Sequence, residues 1–256
     1  MALLWAWAAG RIPGWADAPL WAGLEDGGRD RVVDVVDGDT VRLASGGPVR
    51  LFYGGRKYDR YGRKLAHLWR LDKKGAPELW VQGTLLEEGY ARVYSFPDNW
   101  ALAPQMIERE REARQQSLGM WADVFYEVRV PEDVDRMIDT FQVVAGKVVS
   151  TAVVRGRGYI HYGDDWRDDF TASLAPKVLR RFPDLKAALS GYTGKKLQVR
   201  GWIKRYNGPM IEITHPEQIE VIEEVTKDDE DTVQVGNGEQ PFEKMSPKTD
   251  MPGFDW

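Results

Sequence analysis

A repeated alternation of short β-branched runs with tight turns is the feature that most limits the folds open to this chain. Residues 32–36 read Val-Val-Asp-Val-Val, an Asp-Gly pair follows at 37–38, and residues 40–43 read Thr-Val-Arg-Leu. β-Branched residues favour strands, and an Asp-Gly pair favours a two-residue hairpin turn. Further strands are predicted at 49–53 and 65–69. The pattern predicts a β-meander and excludes a helical bundle.

Helical spacing replaces this pattern further along the chain. Residues 80–88 have apolar side chains at helical intervals and end at Gly89, and residues 104–118 form a charged run that closes at Gly119. Gly just after the last periodic residue is typical of a helix C-terminus. The sequence therefore predicts a mainly β domain with helices, of the α+β class.

A second β-rich block follows, and the order of its elements is informative. The predicted elements are strands at 142–150, 159–162 and 170–174, a helix at 177–189, and strands at 196–205 and 210–222. This β-β-β-α-β-β order is typical of a five-stranded OB-type barrel. The predicted domains are an apolar, Trp-rich extension 1–30, a first domain 31–122, a linker 123–140, an OB-like domain 141–222 and an acidic, disordered tail 223–256.

Composition excludes several classes of protein. With no cysteine among 256 residues, disulfide scaffolds, thiol nucleophiles and Cys-ligated metals are ruled out, and the three histidines lie too far apart for ligand spacing. No stretch approaches the roughly 20 apolar residues that span a bilayer, so no membrane partner is expected. The N-terminus has a small-residue motif at 16–18 like a cleavage site but no basic region, which leaves export or a cytoplasmic location open. Nothing indicates an oligomeric state.

Charge is unevenly distributed. Residues 223–256 carry ten acids and three lysines, and removing this −7 from the total of −5 leaves +2 for the rest. Residues 42–74 hold ten bases and two acids, a local +8, interleaved with aromatic residues. Bases with interleaved rings suit nucleic-acid contacts, although they can also decorate the outer faces of strands. We expect DNA or RNA as the partner, with Lys57, Arg60 and Lys64 among the contacting residues.

Two turns carry residues suited to phosphate chemistry. Asp37 and Asp39, two residues apart, can project to one side as ligands of a hard cation, with Thr40 adjacent. Residues 59–63 read Asp-Arg-Tyr-Gly-Arg, and Arg63 offers a planar fork that matches phosphate. Each motif also has a plain structural reading as a hairpin connection.

In this order on this meander, the two motifs resemble the staphylococcal nuclease (thermonuclease) family over residues 31–121. The resemblance implies an OB-type five-stranded barrel and Ca²⁺-dependent hydrolysis of DNA and RNA. Asp39 looks like the first calcium aspartate and Arg63 like the arginine that contacts the phosphate. Tyr61 looks like the aromatic residue beside the nucleotide, while Tyr94 or Phe96 matches a second ring.

The sequence departs from the family between the two motifs. The family has a strand with another arginine there, then an Asp-x-Pro-Glu segment and a helix. Residues 49–63 read without a gap as the later strand and turn, so that strand, the second calcium aspartate, the general-base glutamate and the first helix are missing. Arg50 alternatively stands for the first arginine, but the residues after it lack the acids. Residues 75–78 read Gly-Ala-Pro-Glu, an imitation of the missing segment that falls after the arginine turn.

The second block resembles OB-fold modules that accompany some bacterial nucleases of this family, notably at 194–202 and 207–213. Such modules present a strand face to single strands. Trp202, Lys204, Arg205 and Tyr206 could form that surface, or Trp202 could be buried. Residues 163–169 are the best remaining carboxylate cluster and read first as a solvated loop. The predicted function is a calcium-dependent nuclease impaired by the missing acids, with non-catalytic nucleic-acid binding as the alternative.

Overall fold

The first sheet takes five strands from the N-terminal half of the chain. The computed structural model describes residues 18–222. The five strands run antiparallel to their neighbours in the order β2-β1-β3-β4-β5. Their bounds are β1 Glu25–Val35, β2 Val41–Ser45, β3 Val49–Tyr53, β4 His67–Leu71 and β5 Pro77–Trp80.

This sheet is open, which agrees with the strand that the sequence shows to be missing from the OB-type barrel. The hydrogen-bonded path ends at β2 on one side and at β5 on the other, within residues 18–222. Three residues, 46–48, connect β2 to β3. This connection leaves no room for the strand and the first helix that the family has at this point. Strand β3 pairs with the first half of β1, with Asp30 opposite Val49 and Glu25 opposite Tyr53. The α+β class is confirmed, and barrel closure is not found.

Strand β5 differs from the sequence expectation. The pattern places residues 75–78 in a loop and residue 80 at the start of a helix, but Leu79 and Trp80 pair with Arg70 and Trp69 of β4. The helix α1 begins one residue later and spans Val81–Glu87. The helix α2 spans Ala103–Gln115, with a proline in its first turn.

Aromatic residues form the core between this sheet and its helices. Phe52, Trp69, Trp80 and Leu102 are buried together, with Trp21 and Leu24 packed against them. The rings of Trp69 and Trp80 stack with centroids 5.5 Å apart. Trp21 lies 6.1 Å from Phe52 and 5.8 Å from Trp69 between ring centroids. Part of the Trp-rich extension therefore packs against the aromatic core of the first sheet.

The second sheet contains seven strands rather than the five predicted. Its path runs β12-β10-β11-β9-β8-β7, and β6 also pairs with β10. One extra strand, β7, lies almost wholly beyond the predicted strand 142–150, after Val148 and Val149. The other arises because a short 3₁₀ turn at Pro216–Gln218 divides the predicted strand 210–222 into β11 and β12. Pro183 divides the predicted helix 177–189, because proline cannot continue a helix in its interior. The bounds are β6 Phe141–Lys147, β7 Ser150–Val154, β8 Arg157–His161, β9 Thr171–Leu174, α3 Pro176–Arg181, α4 Pro183–Ala188, β10 Lys196–Tyr206, β11 Gly208–Ile213 and β12 Ile219–Ile222.

The described residues belong to one compact unit. The signal-like N-terminus up to residue 17 and the predicted disordered tail 223–256 lie outside the described residues. Between residues 18 and 222, no helix has the length and apolar character needed to cross a membrane.

Candidate nucleic-acid site

The turn between β1 and β2 places three of the predicted residues side by side. Strand pairing ends at Val35 and Val41, so the connection is longer than the two-residue turn that the Asp-Gly pair predicts. The N–H of Asp39 donates to Asp37 Oδ1 at 3.2 Å, and Thr40 Oγ1 donates to Asp39 Oδ1 at 2.7 Å. The hydrogen bond from the Asp39 backbone is the main cause that lowers the pKa of Asp37. The turn itself therefore organises both carboxylates.

The connection between β3 and β4 holds Arg63 in a defined position. Asp59 Oδ1 accepts the N–H groups of Tyr61 at 2.8 Å and Arg63 at 2.9 Å, while Arg63 Nε donates to Asp59 Oδ2 at 2.6 Å. Gly62 has φ of 77°, which a glycine adopts without strain. The hydrogen bond to Asp59 raises the pKa of Arg63, and the charges of Asp59, Asp39 and Asp37 add to this effect. Asp59 thus fixes an arginine that stays charged.

One cavity of about 400 Å³ brings the two motifs together. Asp39 and Thr40 line it from the first turn, and Arg63 and Lys64 line it from the second. Apolar side chains complete the wall, namely Val41, Leu43, Leu51, Leu65, Ala66 and Leu68. A second cavity of about 330 Å³ is also lined by Asp39 and Lys64, and it reaches Tyr94 and Phe96. The structure therefore gathers the predicted acid, the predicted arginine and a predicted aromatic residue.

The exposed ring beside this cavity is Tyr61. Its side chain is 67% exposed, with the Arg60 guanidinium 4.7 Å and the Arg63 guanidinium 5.5 Å from the ring centroid. An aromatic face flanked by two arginines can stack on a base while the cations meet phosphate.

Arg50 and Lys57 lie apart from the cavity. Arg50 and Leu51 are successive strand residues and point to opposite faces of the sheet, and Leu51 is the one that lines the cavity. Arg50 Nε donates to Asp26 Oδ1 at 3.0 Å, which lowers the pKa of Asp26 to about 2. Lys57 donates to Glu25.

Cross-strand acids neutralise most of the basic stretch 42–74, which corrects the expectation of a strongly positive surface. Seven of its ten bases form ion pairs: Arg42–Asp34, Arg50–Asp26, Arg56–Asp98, Lys57–Glu25, Arg63–Asp59, Lys64–Asp30 and Arg70–Glu78. Four of the acids belong to β1, outside the counted stretch. The field at this surface is therefore weaker than the local charge of +8 implies.

The residues present do not fit a complete calcium site. Calcium takes six to eight oxygen ligands, several of them carboxylates. Between residues 18 and 222, no three His, Asp or Glu side chains gather in a way that could hold a metal ion. Glu78, in the Gly-Ala-Pro-Glu imitation, lies on β5 with its carboxylate 3.1 Å from Arg70 Nη2. Asp37, Asp39 and Thr40 are a partial donor set.

Two features of the site escape the sequence analysis. Gln82 of α1 lines both cavities; its Oε1 accepts the N–H of Leu68 at 2.9 Å and its Nε2 donates to the Ala66 carbonyl at 3.0 Å. Gln82 thereby fixes the segment just after Arg63, although its helical spacing gives no such signal.

The second feature concerns the loop at residues 94–97, called the aromatic loop because it carries Tyr94 and Phe96. Residues from the second half of the chain hold it in place. Trp202 Nε1 donates to Tyr94 Oη at 3.2 Å, Ser95 Oγ lies 2.7 Å from His215 Nε2, and Arg181 Nη2 donates to the Pro97 carbonyl at 2.8 Å. Because these partners follow Ser95 by up to 120 residues, no local pattern indicates them.

Comparison with known proteins finds a family match for the part of the chain that contains the first sheet and its helices. Residues 40–123 match the family model described as staphylococcal nuclease homologue. The chain is similar to an uncharacterized protein of Bacillus anthracis, with 34% identity over 88 residues covering 34% of this chain and 35% of that protein. It is also similar to Protein ParB of Escherichia coli, with 28% identity over 141 residues covering 41% of this chain and 77% of ParB. The match thus spans about a third of the length of the first relative. Residues 40–123 are therefore a staphylococcal nuclease homologue domain.

Proposed function

We propose that this chain binds nucleic-acid phosphodiesters in the cavity that joins Asp39, Arg63 and Lys64. The observation that carries the proposal is that Arg63 and Lys64 line one cavity of about 400 Å³. The exposed Tyr61 ring, flanked by two arginines, lies next to it. Arg63 presents a planar fork to a phosphate, Lys64 adds a point charge, and Tyr61 offers a face to a base.

Phosphate must compete with carboxylates for these cations. Asp59 already occupies one edge of Arg63, and Asp30 Oδ2 lies 3.2 Å from Lys64 Nζ. An arginine has five N–H donors, so Arg63 can keep Asp59 through Nε and direct its remaining donors to a phosphate. The expected affinity is moderate and falls as salt rises.

Calcium-dependent hydrolysis is a second candidate function, and the position of Asp39 favours it. Asp39 and Thr40 share the cavity with Arg63, so a phosphodiester held there lies next to oxygen ligands for a hard cation. Among the described residues no group of three or more His, Asp or Glu side chains could hold a metal ion, and the general-base glutamate of the family pattern is missing. General-base catalysis is typically worth 10²- to 10⁴-fold, and we expect any hydrolysis to be slow by about that factor.

Fluorescence anisotropy with a single-stranded DNA oligonucleotide over a range of salt tests the first proposal. Arg63→Ala should weaken binding about tenfold and reduce the salt slope by about one, because one phosphate contact is lost. Arg70→Ala is the matched control, since Arg70 belongs to the same basic stretch but pairs with Glu78 and does not line the cavity. Binding that ignores both salt and Arg63→Ala would overturn the proposal.

Cleavage of the same oligonucleotide, with calcium and with a chelator, separates the two candidates. Binding without calcium-dependent cleavage supports binding as the function. Calcium-dependent cleavage that Asp39→Ala abolishes would establish the nuclease candidate.

A further inference from the structure

The second sheet carries an aromatic cavity of about 550 Å³ that is separate from the site described above. It is lined by residues of β7 to β11 and by two connecting loops, and none of its lining residues lines the Asp39 cavity. Four of the lining side chains are aromatic, namely Tyr159, His161, Trp166 and Tyr206. The size and lining suit one small planar ligand.

Two of these rings are largely exposed to solvent. Trp166 is 52% and Tyr206 69% exposed. The rings of Tyr159 and His161 lie side by side on β8 in nearly parallel planes, with an angle of 8° between them. Burial lowers the pKa of His161, so its ring is neutral at neutral pH. Exposed aromatic groups around a cavity are typical of a site that stacks a planar ring.

The edge of the cavity supplies a carboxylate held in place by its loop. Asp169 Oδ2 accepts the N–H of Asp165 at 2.8 Å. Gly163 permits this fold, because a Cβ at that position would lie 2.1 Å from Asp169 Oδ2. A carboxylate accepts hydrogen bonds and donates none when ionised. A ligand that meets Asp169 must therefore present N–H or O–H donors.

The charges around the cavity exclude a phosphate from its interior. Among the described residues, no lysine or arginine lines it. The loop 163–169 that borders it carries four aspartates and one cation, Arg167. The Arg167 guanidinium lies 4.9 Å from the centroid of the Trp166 ring, where it can meet a phosphate attached to a bound base. The cavity thus suits the base of a nucleotide, and its surroundings do not suit a continuous phosphate backbone.

We propose that this cavity binds one unpaired nucleobase with an exocyclic amino group, stacked on Trp166 and Tyr206 with its amino N–H directed to Asp169. Cytosine, adenine and guanine carry such a group, whereas thymine and uracil present a carbonyl. The inference deepens the proposed nucleic-acid function and rests on it for the class of ligand. The base can belong to a single strand or to a free nucleotide.

The test measures binding of cytosine and thymine oligonucleotides by anisotropy, and of cytidine and uridine monophosphate by calorimetry. Trp166→Ala and Tyr206→Ala should each weaken binding of the cytosine oligonucleotide about tenfold, as expected for loss of a stacking ring. Tyr90→Ala is the matched control, because Tyr90 is 73% exposed and does not line the cavity. Asp169→Asn, which keeps the size and gains a donor, should reduce the preference for cytosine over thymine.

Each outcome decides one part of the proposal. If Trp166→Ala weakens binding of cytidine monophosphate but not of the oligonucleotide, the cavity takes free nucleotides. If it weakens binding of the oligonucleotide but not of cytidine monophosphate, the cavity takes single strands. Equal binding of cytosine and thymine, or no effect of Trp166→Ala on any ligand, overturns the inference. Arg63→Ala reports separately on the proposed function, because Arg63 lies in the other cavity.

Discussion

The exposed ion pairs of the first sheet and the buried ion pair beneath the second use the same residue types with different consequences. Arg42 and Asp34 lie 2.7 Å apart, with side chains 69% and 49% exposed. Glu110 of α2 is fully buried, and Arg200 of β10 donates from Nη1 to both of its oxygens at 3.0 and 3.1 Å. Exposed pairs contribute about 0–1 kcal/mol, whereas removing one partner of a buried pair costs about 3–5 kcal/mol.

The buried pair belongs to a network that connects the two sheets. The N–H of Val93 donates to Glu110 Oε2 at 2.5 Å, and Arg114 Nη1 donates to Gln198 Oε1 at 3.1 Å. Val93 immediately precedes the aromatic loop with Tyr94. The exposed pairs therefore determine the electrostatic field that a nucleic acid meets. The buried network instead determines the position of the loop with Tyr94.

The largest expected effect comes from breaking the buried pair. Glu110→Ala should lower the free energy of unfolding by about 3–5 kcal/mol, because it leaves the Arg200 charge and the Val93 N–H buried without their partner. Urea unfolding measures this. Glu108→Ala on the same helix is the control, since Glu108 is exposed and should change stability by less than about 0.5 kcal/mol. Similar losses in both variants would contradict the distinction between the two regions.

The next largest effect is expected from acid, which should lower the free energy of unfolding. Burial, with the charge of Arg181, lowers the pKa of His215 from 6.5 to about 4, and burial lowers the pKa of His67 to about 4. The unfolded chain binds protons at higher pH than the folded chain, so stability is retained above pH 6.5 and lost as pH falls toward 4. His215 alone accounts for about 3 kcal/mol. Urea unfolding across this range should show the loss, and His215→Asn should remove about half of it. A pH-independent stability between 6.5 and 4 would contradict the burial argument.

A smaller effect is expected at Ser95, which contacts His215 from the aromatic loop. Gln218 Nε2 donates to the Arg200 carbonyl at 2.9 Å, so its Oε1 accepts from Thr214 Oγ1 at 2.7 Å. Thr214 Oγ1 must then accept from His215 Nδ1, which leaves Nε2 to accept from Ser95. Ser95→Ala leaves this buried acceptor unpaired and should cost about 1–3 kcal/mol in urea unfolding. Exposed Ser45→Ala is the control, and an equal change in both variants would show that the bond contributes nothing.

The smallest effect on stability is expected at the surface. Asp34→Asn should change the free energy of unfolding by less than about 1 kcal/mol, and less at high salt, because the pair with Arg42 is exposed. The same substitution should strengthen binding to single-stranded DNA in anisotropy, since it removes a negative charge from the surface that a nucleic acid meets. A large loss of stability, or weaker binding, would place Asp34 outside the class of exposed pairs.

Much of the site follows from local sequence, and the rest does not. The two motifs predict that Asp39 and Arg63 serve one site, and the structure places both in one cavity. The local charge of residues 42–74 overstates the positive field, because the acids that neutralise many of these bases lie on β1. Asp26 precedes Arg50 by 24 residues, and Asp30 precedes Lys64 by 34. The sequence predicts a charged helix at 104–118 but does not indicate that Glu110 is its buried member.

The sequence by itself determines most of the strands, the places of the two turns and the nuclease-like motifs, because β-branching, Gly conformations and Asx hydrogen bonds act over a few residues. Only the tertiary structure decides that the first sheet stays open, that Gln82 fixes the strand after Arg63, and that Trp166, Asp169 and Tyr206 share a cavity. These features depend on contacts between residues far apart in the chain. Their energies arise from burial and ion pairing, which no short window of sequence contains.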